Sequence, residues 1–490
     1  MSNSTASEKV GLLPALGLFT TISIVVGAVI GSGIFKKSAP MAMQLGSPEL
    51  LIGVWVLAGI LTLFGALTNA EVAGMISATG GQYIFFQEMY GKFSAYLYGW
   101  AMFAVVQTGS IASITYIFSE SANQFFSLPH LSAATEAIKF HLPYIGDIFP
   151  FADIGVKSLT IAIIVLLSLI NYRGVALGGA VQVIFTVLKV IAIGIIIVLA
   201  FTSGGGSASN FVQVSATGVP SGVNLLGAIM AALTGAFWAY DGWNSITYIA
   251  GEVKNPQHTI PRSLFVGMII IISVYIVVNL AYIYVMPIDA MAKSGFLAMD
   301  AAKIIFENIN PSLATIGVGF IAAAIMISTF GTSNSTILAS ARLYYAMSRE
   351  KMFFKSLGEI HPRYRTPGNA LLIQAIWSSV LVFSGTFDTL TDMLIFVSWI
   401  FYAMGAAGVF ILRKKMPDTP RPYKVWGYPY IPLLFVCFAS CFVIITLYVD
   451  IDAYISGKSQ IINSVFGLFL VALGIPFYIY FEWKKKQRAD

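Results

Sequence analysis

Charge is scarce in this chain, and so are the residues of metal and redox chemistry. Of 490 residues, 28 are Lys or Arg and 22 are Asp or Glu, so charged side chains make up 10%, against about 25% in soluble globular chains. The two cysteines, Cys437 and Cys441, lie four positions apart in an apolar run; they exclude a disulfide framework or zinc site and read as buried thiols. The four histidines, His130, His141, His258 and His361, fall in loops or at the ends of apolar runs, which leaves no histidine relay across a membrane. No nucleophile or metal-ligand cluster sits inside an apolar run. Covalent and metal-dependent catalysis therefore find no residues, and neither a metal site nor a cofactor is implied. The net charge of +6 comes from short basic loops rather than from one face, which argues against nucleic acid as a partner.

Apolar sequence is abundant instead: 57% of residues, with mean hydropathy +0.82. Twelve apolar segments stand out, at about 14–36, 48–76, 91–127, 157–171, 178–202, 222–250, 261–286, 311–345, 369–385, 389–413, 430–450 and 461–483. A bilayer core about 30 Å thick requires such runs. They are too long for barrel strands, and helices satisfy their own backbone in lipid, so the fold class is an all-α membrane protein of twelve transmembrane helices. The third and eighth segments are long enough to tilt or to extend beyond the lipid. Residues 1–13 read as a short tail, and the apolar run after them lacks a signal-peptide cleavage site and reads as retained.

An even count puts both termini on one side. If that side is the cytoplasm, twenty of the 28 Lys and Arg are cytoplasmic, among them the cluster Arg342 to Arg365 and the "KKKQR" tail. Seven fall outside: Lys36, Lys37, Lys139, Lys157, Lys293, Lys303 and Lys458. This excess predicts a multi-pass plasma-membrane protein with cytoplasmic termini.

Two spans are interrupted. "GAVIGSGIF", Gly27 to Phe35, puts three glycines into the first span, and "FWAYDGWNS", Phe237 to Ser245, puts Asp241-Gly242 in the middle of the sixth. Gly27 and Gly31 form a G-x-x-x-G, which also suits helix packing; Gly33 exceeds what packing needs. Spans one and six open two five-span halves, and an odd number of spans per half inserts the halves with opposite topology. Interruptions at corresponding positions of inverted halves point to a transporter's midplane site. The half-helix starting near Ile34 aims its amides at Gly31, Ser32 and Gly33, which suits a carboxylate. Carbonyls released around Trp238, Ala239 and Asp241 suit an ammonium. The candidate substrate site is Val29, Ile30, Gly31, Ser32 and Gly33 with Trp238, Ala239, Tyr240, Asp241 and Gly242, and its zwitterionic pattern fits an α-amino acid.

Two ionisable groups look central. Lys189 lies about 12 Å from the end of its span at helical rise, too deep to snorkel easily. It is either a structural lysine on carbonyls of a broken helix or a coupling charge that replaces a sodium ion or carries a proton. Asp241 either caps the second half-helix or faces the pocket and favours cationic amino acids. Glu71, Glu120 and Glu252 lie towards span ends and read as solvated. Trp238 is a gate candidate, and Trp399 and Tyr402 are further pocket candidates.

These stretches resemble the L-type amino acid transporters of the amino acid–polyamine–organocation superfamily. "GAVIGSGIF" resembles their first-helix motif, and similar matches follow in order from about residue 14 to 430: "EVAGMISATGGQYIFFQEMYG", "FTVLK", "FWAYDGWNSITYIAGEVKNPQHTIPRSL", "STFGTSNSTILASARLYYAMSRE" and "RPYKVWGYP". The resemblance implies a LeuT-like 5+5 inverted repeat with discontinuous helices 1 and 6. It implies that Val29, Ser32 and Gly33 meet the carboxylate and that Trp238, Ala239 and Asp241 offer carbonyls to the amine. It places Lys189 where other members hold sodium, near Ser328 and Thr329, which favours sodium-independent exchange. Three departures stand out. Position 241 is Asp where several members that take large neutral amino acids have Gly or Ala. The 128–156 loop lacks the cysteine that links other members to a heavy chain, so no disulfide-linked partner is expected. Lys351 replaces a more usual glycine.

The expected organisation is a cytoplasmic tail at 1–13, repeats at 14–202 and 222–413, a cytoplasmic loop with helices 11 and 12 at 414–483, and a cytoplasmic tail at 484–490. The expected function is amino acid transport by alternating access, as exchange or as proton-coupled symport, with cationic amino acids or polyamines as alternative substrates. An ion channel would need a ring of carbonyls or charges along an axis, and none appears.

Overall fold

The computed structural model describes residues 16–78, 80–173 and 176–487, without the side chains of 176–182. The tail expected at 1–13 and the last three residues of that expected at 484–490 lie outside the described residues. Among the described residues, eleven helices are long and apolar enough to cross a membrane. The ninth apolar segment is the seventeen-residue helix Gly368–Ser384, about 26 Å at helical rise and at the short end of what a bilayer needs. Spans are numbered here in that order: span 2 is Pro48–Met75, span 3 Lys92–Ala122, span 4 Ile154–Arg173, span 5 Ala176–Thr202, span 7 Pro256–Val285, span 8 Ala314–Arg349, span 9 Gly368–Ser384, span 10 Phe387–Lys415, span 11 Tyr430–Ile455 and span 12 Asn463–Lys486.

Spans 1 and 6 are broken. Span 1 runs over Leu18–Val29 and resumes at Gly33–Lys36, and span 6 runs over Gly222–Tyr240 and resumes at Ser245–Tyr248. The second part of span 6 is shorter than its apolar segment suggested, because it tightens into a 3-10 turn at Ala250–Glu252. Spans 2, 3 and 4 each pack along the span five later, 7, 8 and 9, as two halves related by a pseudo-twofold axis would. A short helix also follows the second span of each half, Gln82–Tyr90 and Leu297–Ile309.

Local chemistry sets the turns. The helix Ser38–Leu45 that extends span 1 stops at Gly46, whose φ of 61° suits glycine. Span 2 then starts with Pro48 at its first position and the Ser47 hydroxyl accepting from the Leu50 N–H at 3.3 Å. Span 3 widens into a π-turn at Met102–Val106, and the Thr108 hydroxyl donates to the Phe103 carbonyl at 2.6 Å.

Two sequence expectations need correction. Cys437 and Cys441 are exposed, not buried, because they share one face of span 11, and lipid is as apolar as a core. The glutamates at span ends are paired rather than solvated. Glu71, 1% exposed, takes both arms of the Arg413 fork at 2.9 and 2.8 Å and the Val425 N–H at 2.7 Å; Glu252 takes Arg342 at 2.9 Å, and Glu120 takes Lys36. The loop between spans 3 and 4 also holds a small antiparallel hairpin, Phe140–Leu142 with Gly146–Ile148, in an otherwise helical chain.

Candidate functional site

The last helical bond of the first half-helix is Ile30 N–H to Val26 at 2.9 Å. Ile30 then turns out of the helix at ψ 87°. Among the described residues, the N–H groups of Gly31, Ser32, Gly33 and Ile34 have no acceptor, and the buried Ser32 hydroxyl has no partner. These amides form the positive end of the resumed helix. They can hold a carboxylate.

The two breaks touch. A Cβ on Gly33 would lie 2.6 Å from the Ala239 Cα, and one on Gly242, at φ 104°, would lie 2.9 Å from the Ala28 carbonyl oxygen. Only glycine lets the backbones approach so closely. Tyr275 of span 7 joins them, its hydroxyl 3.0 Å from the Val29 carbonyl and 2.9 Å from that of Ala239. A cavity of about 40 Å³ lies between the breaks, lined by Val29, Gly31, Ser32, Gly33, Trp238, Asp241 and Gly242 together with Gln107 and Ser110 of span 3. That is room for roughly three waters.

The carbonyls expected around Trp238, Ala239 and Asp241 are not all released. Trp238 accepts from the Asp241 N–H at 3.2 Å, and Ala239 from Tyr275. Among the described residues, the carbonyls of Tyr240 and Asp241 accept nothing, so these two are placed for an ammonium. Nor does the Asp241 side chain cap the second half-helix, as one reading had it: the Ser245 N–H bonds to Gly242 instead. Its carboxylate takes the Tyr402 hydroxyl at 2.5 Å. Tyr402 and the buried Trp399 line a second, smaller cavity that also reaches Asp241. Below the break, Asn244 accepts from Asn69 at 2.9 Å, and Gln82, Tyr98 and Tyr248 continue a buried polar chain.

Lys189 is 1% exposed and donates to the carbonyls of Gly27 at 2.7 Å and Ile30 at 2.5 Å, two of those freed by the break in span 1. Its third partner is the Thr332 hydroxyl at 3.0 Å. Ser328 reaches the same Ile30 carbonyl at 3.4 Å. Thr329, expected beside Lys189, instead bonds back to Ile325 in its own helix. Thr332 takes that place because it lies one helical turn after Ser328 and so shares its face.

Both ends of the site are covered. At one end the Trp238 ring meets Phe387 edge-on at 5.9 Å, beneath Lys36 and Lys37. Lys37, 3% exposed, donates to Asp388 at 2.6 Å and Thr391 at 2.8 Å. The sequence places Lys37 only among the basic residues on the outer side and gives no sign of this pairing. At the other end Arg342 of span 8 bonds Glu252, whose backbone carbonyl accepts from Leu16 at 2.9 Å.

The comparisons with known proteins agree with this architecture. The family model described as amino acid permease matches residues 16–472. The chain is 30% identical to the serine/threonine exchanger SteT of Bacillus subtilis over 99% of its own length and 100% of the relative's. It is 32% identical to the human b(0,+)-type amino acid transporter 1 over 86% and 80% of the two chains, and 28% identical to the human cystine/glutamate transporter over 98% and 88%. These relatives are transporters, not enzymes. Their match along nearly the whole chain, over twelve helices with two broken spans in contact, places this chain in the amino acid permease family, within the superfamily that holds the L-type transporters.

Proposed function

We propose that this chain is a sodium-independent amino acid exchanger of the plasma membrane that works by alternating access, with both termini cytoplasmic. The observation that carries the reading is the Lys189 ammonium on the Gly27 and Ile30 carbonyls. A broken helix releases carbonyls that need donors; in transporters of this build a coupling cation can fill that place, and here a resident charge does. The excess of Lys and Arg in the proposed cytoplasmic loops supports the orientation, and the name of the Bacillus relative supports exchange.

In this reading the substrate carboxylate accepts from the amides of Gly31 to Ile34, and its ammonium donates to the Tyr240 and Asp241 carbonyls. Trp238 covers the substrate on the outer side. The bundle containing spans 1 and 6 then rocks against the rest, so that the Lys37 and Arg342 contacts open in turn. The repeats run over 14–202 and 222–413, with 414–483 outside them, and no disulfide-linked heavy chain takes part. The Asp241 carboxylate on the pocket wall favours a second reading of selectivity, cationic amino acids or polyamines.

Counterflow in proteoliposomes tests the coupling. Uptake that needs internal amino acid, persists without sodium and ignores a proton ionophore supports exchange. Uptake into empty vesicles that collapses with the ionophore replaces it with proton-coupled symport.

A further inference from the structure

Spans 4 and 9 pack side by side and leave a groove of about 460 Å³ on their outer face, lined by Ser168, Leu169, Tyr172, Leu372, Ile376 and Phe383 among others. Its apolar walls are open: Leu169 and Ile376 are each 56% exposed and Leu372 52%. From Leu371 to Phe383 the groove extends about 18 Å at helical rise, comparable with one leaflet of a hydrocarbon core about 30 Å thick.

One end of the groove is basic. Tyr172, on the wall, contacts the rings of His361 at 5.3 Å and Tyr364 at 5.9 Å, and its carbonyl accepts from the Thr366 hydroxyl at 2.7 Å. Those contacts pin the loop between spans 8 and 9 over the groove mouth. Arg173 follows Tyr172, Arg363 lies over the Tyr364 ring, and Arg365 precedes Thr366. All three arginines are exposed, and none is in an ion pair among the described residues. From Arg349 to Arg365 the loop holds five basic and two acidic residues.

A polar group marks the depth between. Ser168, 6% exposed, has a hydroxyl without a partner, five residues or about 7.5 Å along the helix from Arg173. A serine on a lipid-facing groove normally bonds its own helix. This one is free to donate.

We infer that this groove is a binding site for one anionic phospholipid, with an acyl chain along spans 4 and 9, an ester carbonyl on Ser168 and the phosphate on Arg173, Arg363 and Arg365. Basic pockets between spans bind such headgroups. In the orientation proposed above, the site faces the cytoplasmic leaflet; the binding itself depends neither on that orientation nor on the transported substrate.

The test uses the purified full chain in detergent, titrated with dioleoyl phosphatidylglycerol or dioleoyl phosphatidylcholine and followed by melting midpoint and native mass spectrometry. Phosphatidylglycerol is expected to raise the midpoint saturably and to remain bound as one molecule, while phosphatidylcholine does neither at the same mole fraction. The triple variant R173Q/R363Q/R365Q is expected to lose about a hundredfold in apparent affinity for phosphatidylglycerol. The corresponding triple lysine variant retains most of it. Ser168→Trp fills the groove and abolishes the effect with the arginines intact.

Equal stabilisation by both lipids overturns the inference, as does a preference that survives the triple glutamine change. So does stabilisation by glycerol phosphate alone, which would need no groove, or a dimer in light scattering that buries this face. If a variant does not fold, the comparison of the two lipids on the unchanged chain decides.

Discussion

Gly33 and Ala239 sit so close that a methyl group on Gly33 would lie 2.6 Å from the Ala239 Cα. The obstacle is backbone, which cannot rotate away. Gly33→Ala is therefore expected to push the two broken spans apart, at about 1–3 kcal/mol for overpacking, and to reduce uptake sharply. Gly53 in span 2 is the control, since a Cβ there meets nothing within 4 Å. Gly53→Ala should leave both melting midpoint and uptake unchanged.

Removing the Lys189 ammonium leaves the Gly27 and Ile30 carbonyls with only long hydroxyl contacts, from Thr332 at 3.3 Å and Ser328 at 3.4 Å. Lys189→Met is expected to lose about 1–3 kcal/mol in all and to lower exchange by at least about tenfold, read by counterflow. Thr332→Val removes the third partner but not the charge, and should cost less.

In the proposed pocket Asp241 and Tyr402 are expected to set selectivity together. Their hydrogen bond is 2.5 Å long and charge-assisted, worth about 1.5–3 kcal/mol. Tyr402→Phe frees the carboxylate and should strengthen competition by arginine or lysine against a neutral substrate. Asp241→Asn should weaken it. Inhibition of radiolabelled uptake by each amino acid reads both effects.

Lys37 closes one end through Asp388 and Thr391. Lys37→Met should shift the population towards a state open at that end. A cysteine introduced at Ala231, on the cavity beside Lys37, in a background lacking Cys437 and Cys441, should then label faster, by about fivefold or more for each 1–2 kcal/mol of closure lost. An unchanged rate would show that Lys37 holds no gate.

Glu71 of span 2 holds the 416–429 loop through the Val425 N–H and span 10 through Arg413. Glu71→Ala strands the buried Val425 N–H and leaves the partly exposed Arg413 guanidinium without its partner, at about 1–3 kcal/mol. Loss of a monodisperse peak after detergent extraction would register it.

The spans were legible because twenty apolar residues in a row leave few alternatives, and the breaks because glycine and aspartate are poor helix formers that stand out in such runs. Lys189 was legible for the same reason. Its partner was not: Ser328, Thr329 and Thr332 differ only in the face of span 8 they occupy, which depends on helix rotation that packing sets. Tyr275 gave no signal, since an aromatic residue in mid-span reads as packing. Lys37 and Asp388 lie 351 residues apart, and nothing local pairs them. Cys437 and Cys441 were misread because core and lipid select the same side chains.

The widened turn at Met102–Val106 carries an evolutionary implication. A π-turn closes over one residue more than an α-turn, so it is a single-residue insertion stored inside a helix. Deleting Ala104 should let span 3 relax to an ordinary α-helix while Gln107 and Ser110 keep their places on the cavity wall. The same deletion elsewhere in span 3 would rotate those side chains by about 100°. Span 3 thus has one place where its length can drift without disturbing what lies beyond it.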